Sequence, residues 1–147
     1  MSERLVSFPA RSYRDLIAWQ KAIELVTETY RASQSFPDSE RFGLTSQPRR
    51  AAVSVPSNMA EGQGRQFTGE FKQFLGHARG SLLEVETQIF IARNLGYFSP
   101  ERSTSLLKRT EEAGRILNGL LGSLKGRLRR LTTAHWSLTT DFEEICN

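Results

Sequence analysis

The sequence predicts an all-α protein, an up-down-up-down antiparallel four-helix bundle. Three observations carry this. Apolar residues recur in alternating steps of three and four along long stretches, the period of a helix with one buried stripe. The breaks between the stretches are short and hold residues that stop or start helices: Phe36-Pro37-Asp38, Gly62 to Gln66, and Gly96 followed by Ser99-Pro100-Glu101. No strand-like alternation and no internal repeat occurs. At 147 residues the chain is one domain by size, long enough for a real core.

The expected organisation is an N-terminal arm over 1–12, the bundle over 13–131 and a tail over 132–147 that shows no period. Ser12 is placed to cap the first helix, with Asp15 three residues on in the position of a capping-box acid. Leu16, Trp19, Ile23, Val26 and Tyr30 give that helix its seam. It ends near Ser33 to Ser35, because proline disfavours helix in the residue before it. The second helix has two possible starts. Near Gln47, Pro48 falls in the first turn, where its missing N–H does no harm; near Arg41, Pro48 is interior and distorting. Pro56 is interior on either reading and predicts a kink. Gly62 is the expected C-cap.

Thr68 is the expected cap of the third helix, whose seam is the cleanest in the chain: Phe71, Leu75, Ala78, Leu82, Val85, Ile89 and Ala92. It runs to Asn94 and stops at Gly96. Gly76 and Gly80 each weaken a helix by about 1 kcal/mol relative to alanine. They are expected to mark close approach to the second helix. Ser99-Pro100-Glu101 supplies a cap, a proline at the first position and an acid in the first turn. The fourth helix then carries Leu106, Ala113, Leu117, Leu120, Leu124, Leu128 and Leu131, and a basic end of Lys125, Arg127, Arg129 and Arg130.

The chain is organised around Leu44 to Arg65. This stretch has helical spacing but few large apolar residues. Ala51, Ala52, Ser54, Ser57 and Ala60 are small, and Arg50, Ser54, Asn58 and Glu61 share one face. A buried polar row must find partners. The stretch is therefore either a tightly packed central helix with an internal hydrogen-bond network or a site. The network expected here uses Gln47, Ser54, Asn58 and Glu61 of the second helix with Ser81 and Glu84 of the third.

The same stretch, S-Q-x-R-R-A-A-x-S-V-x-S-N-M-A-E-G from Ser46 to Gly62, resembles the signature of the four helix bundle proteins encoded by intervening sequences within 23S rRNA genes. Leu16, Ala18-Trp19-Gln20-Lys21-Ala22, Phe36-Pro37, Glu40 and Phe42-Gly43-Leu44 fit upstream. Glu70-Phe71, Phe74-Leu75, Ala78 to Glu84 and Glu86-Thr87 fit downstream. The resemblance covers Tyr13 to Lys125; Pro48 departs from it, where the family more often has an aliphatic residue. It implies a ring-shaped homo-oligomer, often a pentamer. It also implies kinship with the accessory variability determinant of diversity-generating retroelements, a basic ring that binds nucleic acid and a reverse transcriptase. Phe42, Phe74, Phe90, Tyr97 and Phe98 lie outside the helix seams and are candidates for an interface between copies.

Several chemistries are disfavoured. The single cysteine, Cys146, builds neither a disulfide framework nor a zinc site. Neither His77 nor His135 completes a Glu-x-x-His pair, and no H-E-x-x-H occurs, so no metal and no cofactor is expected. Gly62-Gln-Gly-Arg-Gln-Phe67 starts like a dinucleotide fingerprint, but it ends in Phe67 and follows a helix. No phosphate-loop motif or nucleophile elbow is present. Glu61 and Glu84 are placed to meet across the second and third helices, as a structural network rather than a catalytic pair. The N-terminus lacks the apolar core of a signal peptide, and no run reaches the ~20 apolar residues of a membrane span. A soluble cytoplasmic protein is the expectation, with no membrane partner.

Basic residues remain the best functional signal: Arg49, Arg50 and Arg65 around the second helix, and Lys125, Arg127, Arg129 and Arg130 at the end of the fourth. The net charge is +4 and the pI is 9.6. The first expectation is a non-enzymatic oligomer that binds structured RNA or DNA through these patches, chiefly by its backbone. The bland rival for the second cluster is a solvated helix end favoured by the dipole. A structural or adaptor protein with a protein partner is the alternative function. An enzyme using the polar face of the second helix is a distant third.

Overall fold

The computed structural model describes residues 12–135, with side chains to residue 124. The arm before Ser12, the tail after His135, and the side chains of Leu128 and Leu131 lie outside the described residues. A 3-10 turn, Tyr13–Asp15, leads into α1 (Ile17–Ser33); a second, Asp38–Glu40, precedes α2 (Ser46–Gln63); α3 is Thr68–Asn94 and α4 Pro100–His135. Each helix packs on its neighbours in sequence, and α1 closes against α4. Links this short force antiparallel neighbours, so the expected up-down-up-down four-helix bundle is what forms. α4 runs one turn past the predicted end at Leu131.

The α3 seam is buried along its whole length, from Phe71 to Ala92. Around it close Leu25, Val55, Met59, Leu106, Leu117 and Leu124, all fully buried. The seam predicted for α1 is rotated. Leu16 is buried and Trp19 and Val26 pack partly on the core, but Ile23 and Tyr30 face solvent. The buried line is instead Ala18, Ala22, Leu25, Thr29 and Ala32 with Ser33. Alanines let the helix axes approach. The two hydroxyls bury without an orphaned group because each bonds back along its own helix: Thr29 Oγ1 donates to Leu25 O at 2.7 Å and Ser33 Oγ to Thr29 O at 2.8 Å. α4 uses the same device at Ser103 and Thr110, both buried.

The ends are mixed. Ser12 Oγ accepts from Arg14 N at 3.3 Å, but it caps the 3-10 turn; α1 begins behind Leu16, which offers no side-chain cap. Thr68 is the first residue of α3 and Phe67 its cap position. Ser99 Oγ accepts from Arg102 N at 3.1 Å, as expected. Gly96, at φ 77°, closes α3: its N–H donates to Arg93 O and Tyr97 N–H to Ala92 O, the paired bonds of a Schellman ending. α2 starts at Ser46, so Pro48 sits in the first turn, buried. Pro56 is buried inside α2, and the helix runs on through it to Gln63.

The glycines exchange roles. Gly62 is a buried residue of the last turn of α2, and Gly64 is the C-cap. A Cβ on Gly62 would lie 2.6 Å from Phe74 Cβ. Close approach of α2 to α3 therefore happens here. Gly76 and Gly80 are exposed, with nothing within 4 Å of an added Cβ. Gly76→Ala and Gly80→Ala should each stabilise the fold, by about 0.5–1 kcal/mol, through helix propensity alone. Urea unfolding checks this; reduced stability at either position would show a contact on that flank.

Two of the aromatics outside the seams are internal. Phe98 is buried and Tyr97 half-buried, with ring centroids 4.8 and 5.4 Å from that of Phe36. They bind the α1–α2 link to the α3–α4 link. Tyr97 Oη also donates to Glu40 Oε1 at 3.5 Å, and Glu40 Oε2 accepts from Leu44 N at 2.9 Å. Phe42 is 82% exposed. No described helix is long and apolar enough to cross a membrane.

Candidate nucleic-acid interface and the polar helix pair

α2 carries most of the residues singled out in sequence, and α3 is its most intimate neighbour. Ser54 Oγ and Ser81 Oγ lie 2.8 Å apart across the helix pair. Asn58 Nδ2 donates to Ser54 O at 2.8 Å and to Ser54 Oγ at 2.9 Å. Asn58 thereby holds the serine bridge in place. All three side chains are half-buried. Ser54, Asn58 and Ser81, three of the six residues expected in one network, are thus hydrogen-bonded together. Small hydroxyls suit the place, because they satisfy one another without separating the helices.

Gln47 and Glu84 border this network without a direct bond into it. Together with Arg50, Ala51, Ser54 and Ser81 they line an open cleft of about 350 Å³. Glu84 Oε1 accepts from Gln88 Nε2 at 3.4 Å. Gln88, a buried polar residue that its sequence context did not single out, keeps Oε1 without a hydrogen-bond partner among the described residues. Glu61 is elsewhere. It is exposed and pairs with Arg65, one turn on, at 2.9 Å. Glu61 and Glu84 are thus not brought together, and neither Asn58 nor Glu61 lines the cleft. The spacing Glu61-x-x-x-Arg65 is the favourable i,i+4 order. It was the signal that Glu61 belongs to the surface.

The basic residues on α2 and in the link after it have divergent roles. Arg49 is half-buried: Nε donates to Ser33 Oγ at 2.7 Å, Nη2 to Tyr30 O at 3.3 Å, and the guanidinium stacks 4.7 Å from the Tyr30 ring centroid. It fastens α2 to the last turn of α1, where carbonyls lack helical partners and a cation suits the dipole. Arg65, besides its ion pair, lies 4.7 Å over the Phe74 ring. Arg50 is exposed, and among the described residues its side chain makes only a 3.4 Å bond from Nη2 to Ser46 Oγ. The three arginines grouped in sequence do not form one patch. Lys125, Arg127, Arg129 and Arg130 stand on helical backbone within α4, and their side chains lie outside the described residues. His77 is exposed, edge-on to Phe74, and no group of three potential metal ligands is found among the described residues.

The fold has known counterparts. The family description "23S rRNA-intervening sequence protein" matches residues 14–119. The chain belongs to that family. The match takes in all of α1, α2 and α3 and more than half of α4. The chain is also similar in structure to a protein with unknown function from the S23 ribosomal protein family of Bacteroides thetaiotaomicron. That likeness has a TM-score of 0.67 at 18% identity and covers 72% of this chain and 96% of the other. At that identity the likeness speaks to the bundle fold. No curated protein matches the chain.

Proposed function

We propose that this protein is a non-enzymatic oligomer that binds structured RNA, or another nucleic acid, through the basic run of α4. One observation carries the reading. The four cations between Lys125 and Arg130 stand within six residues that hold no acid, the densest run of one charge in the sequence, against +3 over residues 1–124 and −3 over 131–147. α4 continues to His135, so this run precedes the last helical turn. The helix dipole acts only within the last turn, and it does not account for cations placed earlier. Phosphate contacts do account for them. In an oligomer the run repeats, and a modest charge per chain becomes a strong local field. Arg50, exposed and weakly bonded, is the α2 arginine best placed to add to it. Membership of the 23S rRNA-intervening sequence protein family supports an RNA setting and assembly with further copies of the chain.

The test is a fluorescence-anisotropy titration of a labelled structured RNA at two salt concentrations. The variant combines Arg127→Ala, Arg129→Ala and Arg130→Ala. Wild-type binding should weaken steeply with salt. The variant should bind about tenfold or more weakly, and its log–log salt slope should fall by roughly 1 for each phosphate that it no longer neutralises. Equal binding by both proteins would remove the run from the interface, and no wild-type binding at low salt would end the nucleic-acid reading.

A protein partner is the second reading. It is favoured by large apolar side chains left in solvent near helix starts, Phe42 and the 64%-exposed Phe67. A pull-down that survives nuclease treatment would decide for it. An enzymatic role for the polar face of α2 has less support, because Glu61 sits apart from the Ser54–Ser81 bridge and its cleft.

A further inference from the structure

The cleft between α2 and α3 carries two opposite charges that the bundle leaves unpaired. Its floor is small and polar: the buried Ala51 with the half-buried Ser54 and Ser81, whose hydroxyls lie 2.8 Å apart. Its rim holds the exposed side chains of Gln47 and Arg50 from α2 and of Glu84 from α3. Arg50 and Glu84 border one cleft, yet neither forms an ion pair among the described residues. Each makes one long hydrogen bond along its own helix, Arg50 to Ser46 Oγ and Glu84 from the buried Gln88 Nε2, both at 3.4 Å. The α1 side of α4 behaves differently: Lys21 pairs with Glu112 and Arg109 with Glu24, each at 3.4 Å.

At about 350 Å³ the cleft stands at the small end of the range for small-ligand sites, roughly 300–1,000 Å³. A phosphate does not suit it, because Glu84 repels the charge that Arg50 attracts. A flat ring that offers donors and acceptors together does. A guanidinium fork takes a pair of acceptors, and a carboxylate takes a pair of donors. Among the four RNA bases, guanine alone sets a donor pair, N1–H and the N2 amino group, beside an acceptor pair, O6 and N7.

We propose that this cleft receives an unpaired guanine base of the bound RNA, with Glu84 accepting from N1–H and the N2 amino group and Arg50 donating to O6 and N7. Bases in RNA loops and bulges splay out into sites of this kind. Arg50 then adds to nucleic-acid binding through a base edge. The cleft is complete within one chain. A Cβ on Gly114 would lie 3.5 Å from Leu82 Cδ2, next to Ser81, so the cleft stands at a level of α4 eleven residues, roughly 16 Å, before Lys125. The inference rests on the nucleic-acid reading proposed above, and it adds base selectivity to a contact otherwise made through phosphates.

The test is fluorescence anisotropy of the full chain with three hairpin RNAs that differ at one loop position, which holds guanosine, inosine or 7-deazaguanosine. Inosine lacks the N2 amino group, and 7-deazaguanosine lacks the N7 acceptor. The wild type should bind the guanosine RNA about tenfold more tightly than either of the others. Glu84→Gln should lose the preference over inosine and keep that over 7-deazaguanosine, and Arg50→Ala should do the reverse. Both side chains are exposed, and circular dichroism checks that each variant is folded. Equal binding of the three RNAs by the wild type overturns the cleft and leaves the basic run of α4 standing. A preference that both variants retain in full does the same. Free GMP distinguishes a base within RNA from a soluble nucleotide. If it displaces the labelled hairpin as well as unlabelled hairpin does, the occupant is the nucleotide and the RNA assignment is overturned. Binding of none of the RNAs at low salt ends this inference together with the nucleic-acid reading.

Discussion

Gly62→Ala is expected to destabilise the protein by about 2 kcal/mol, although it replaces a helical glycine with the best helix former. Two effects oppose each other. Helix propensity favours alanine by about 1 kcal/mol. Against it, the new methyl would stand 2.6 Å from Phe74 Cβ, 3.1 Å from Phe71 Cδ2 and 3.3 Å from Phe71 O. The nearest of these atoms is tied to the backbone of α3. It cannot swing away as the end of a flexible side chain would, so α2 and α3 must separate. Overpacking of a close contact costs about 1–3 kcal/mol, occasionally more, and a clash this close to backbone belongs at the upper end.

The consequence reaches beyond Gly62 itself. The Ser54–Ser81 bridge spans the same helix pair two turns away, at 2.8 Å, and depends on the same separation. For a chain of this size the destabilisation corresponds to a melting temperature lower by roughly 5–10 °C. Gly76→Ala is the control: same chemistry, same propensity gain, no neighbour within 4 Å. The two variants should move stability in opposite directions. If Gly62→Ala is as stable as wild type, the helices are not in contact at that level.

This pair of glycines also marks where the sequence stops being informative. Glycine is required both at a helix end and at a close approach, and local sequence cannot separate these uses. What separates them is the position of Phe74, twelve residues on in another helix. The α3 seam was legible because large apolar side chains recur there without competition. The α1 seam was not. Ile23 and Tyr30 carry larger apolar areas than Ala18, Ala22 and Thr29, yet the latter are buried. Small size and hydroxyls that bond to their own helix outweigh apolar area when helix axes must come close. Within the polar pair, Ser54, Asn58 and Ser81 were legible from helical spacing. Glu61 was not separated from them, because its partner Arg65 competes one turn away.

Arg49→Ala is expected to cost about 1.5–3 kcal/mol, the range for hydrogen bonds made by a charged group. Sequence alone groups Arg49 with Arg50 as surface cations. The structure gives Arg49 a second helix to hold, with its partners sixteen and nineteen residues upstream. Removing it withdraws a donor from Tyr30 O in the last turn of α1, and also the cation stacked on the Tyr30 ring. Ser33 Oγ keeps its own bond to Thr29 O, so the damage concentrates on the link between the helices. Arg49→Lys should recover only part of it. An ammonium keeps the charge near the helix end but cannot direct two N–H groups along the planes the guanidinium uses. A double-mutant cycle with Ser33→Ala isolates the Nε–Oγ bond, and a coupling of about 0.5 kcal/mol or more is expected from residues in direct contact. Arg50→Ala, one residue on but exposed, should change stability by no more than about 0.5 kcal/mol. If the two arginines prove equally dispensable for stability, Arg49 is no clamp and returns to the pool of surface cations open to a phosphate. If they differ as expected, Arg49 serves the fold, and α2 contributes at most Arg50 to any basic surface.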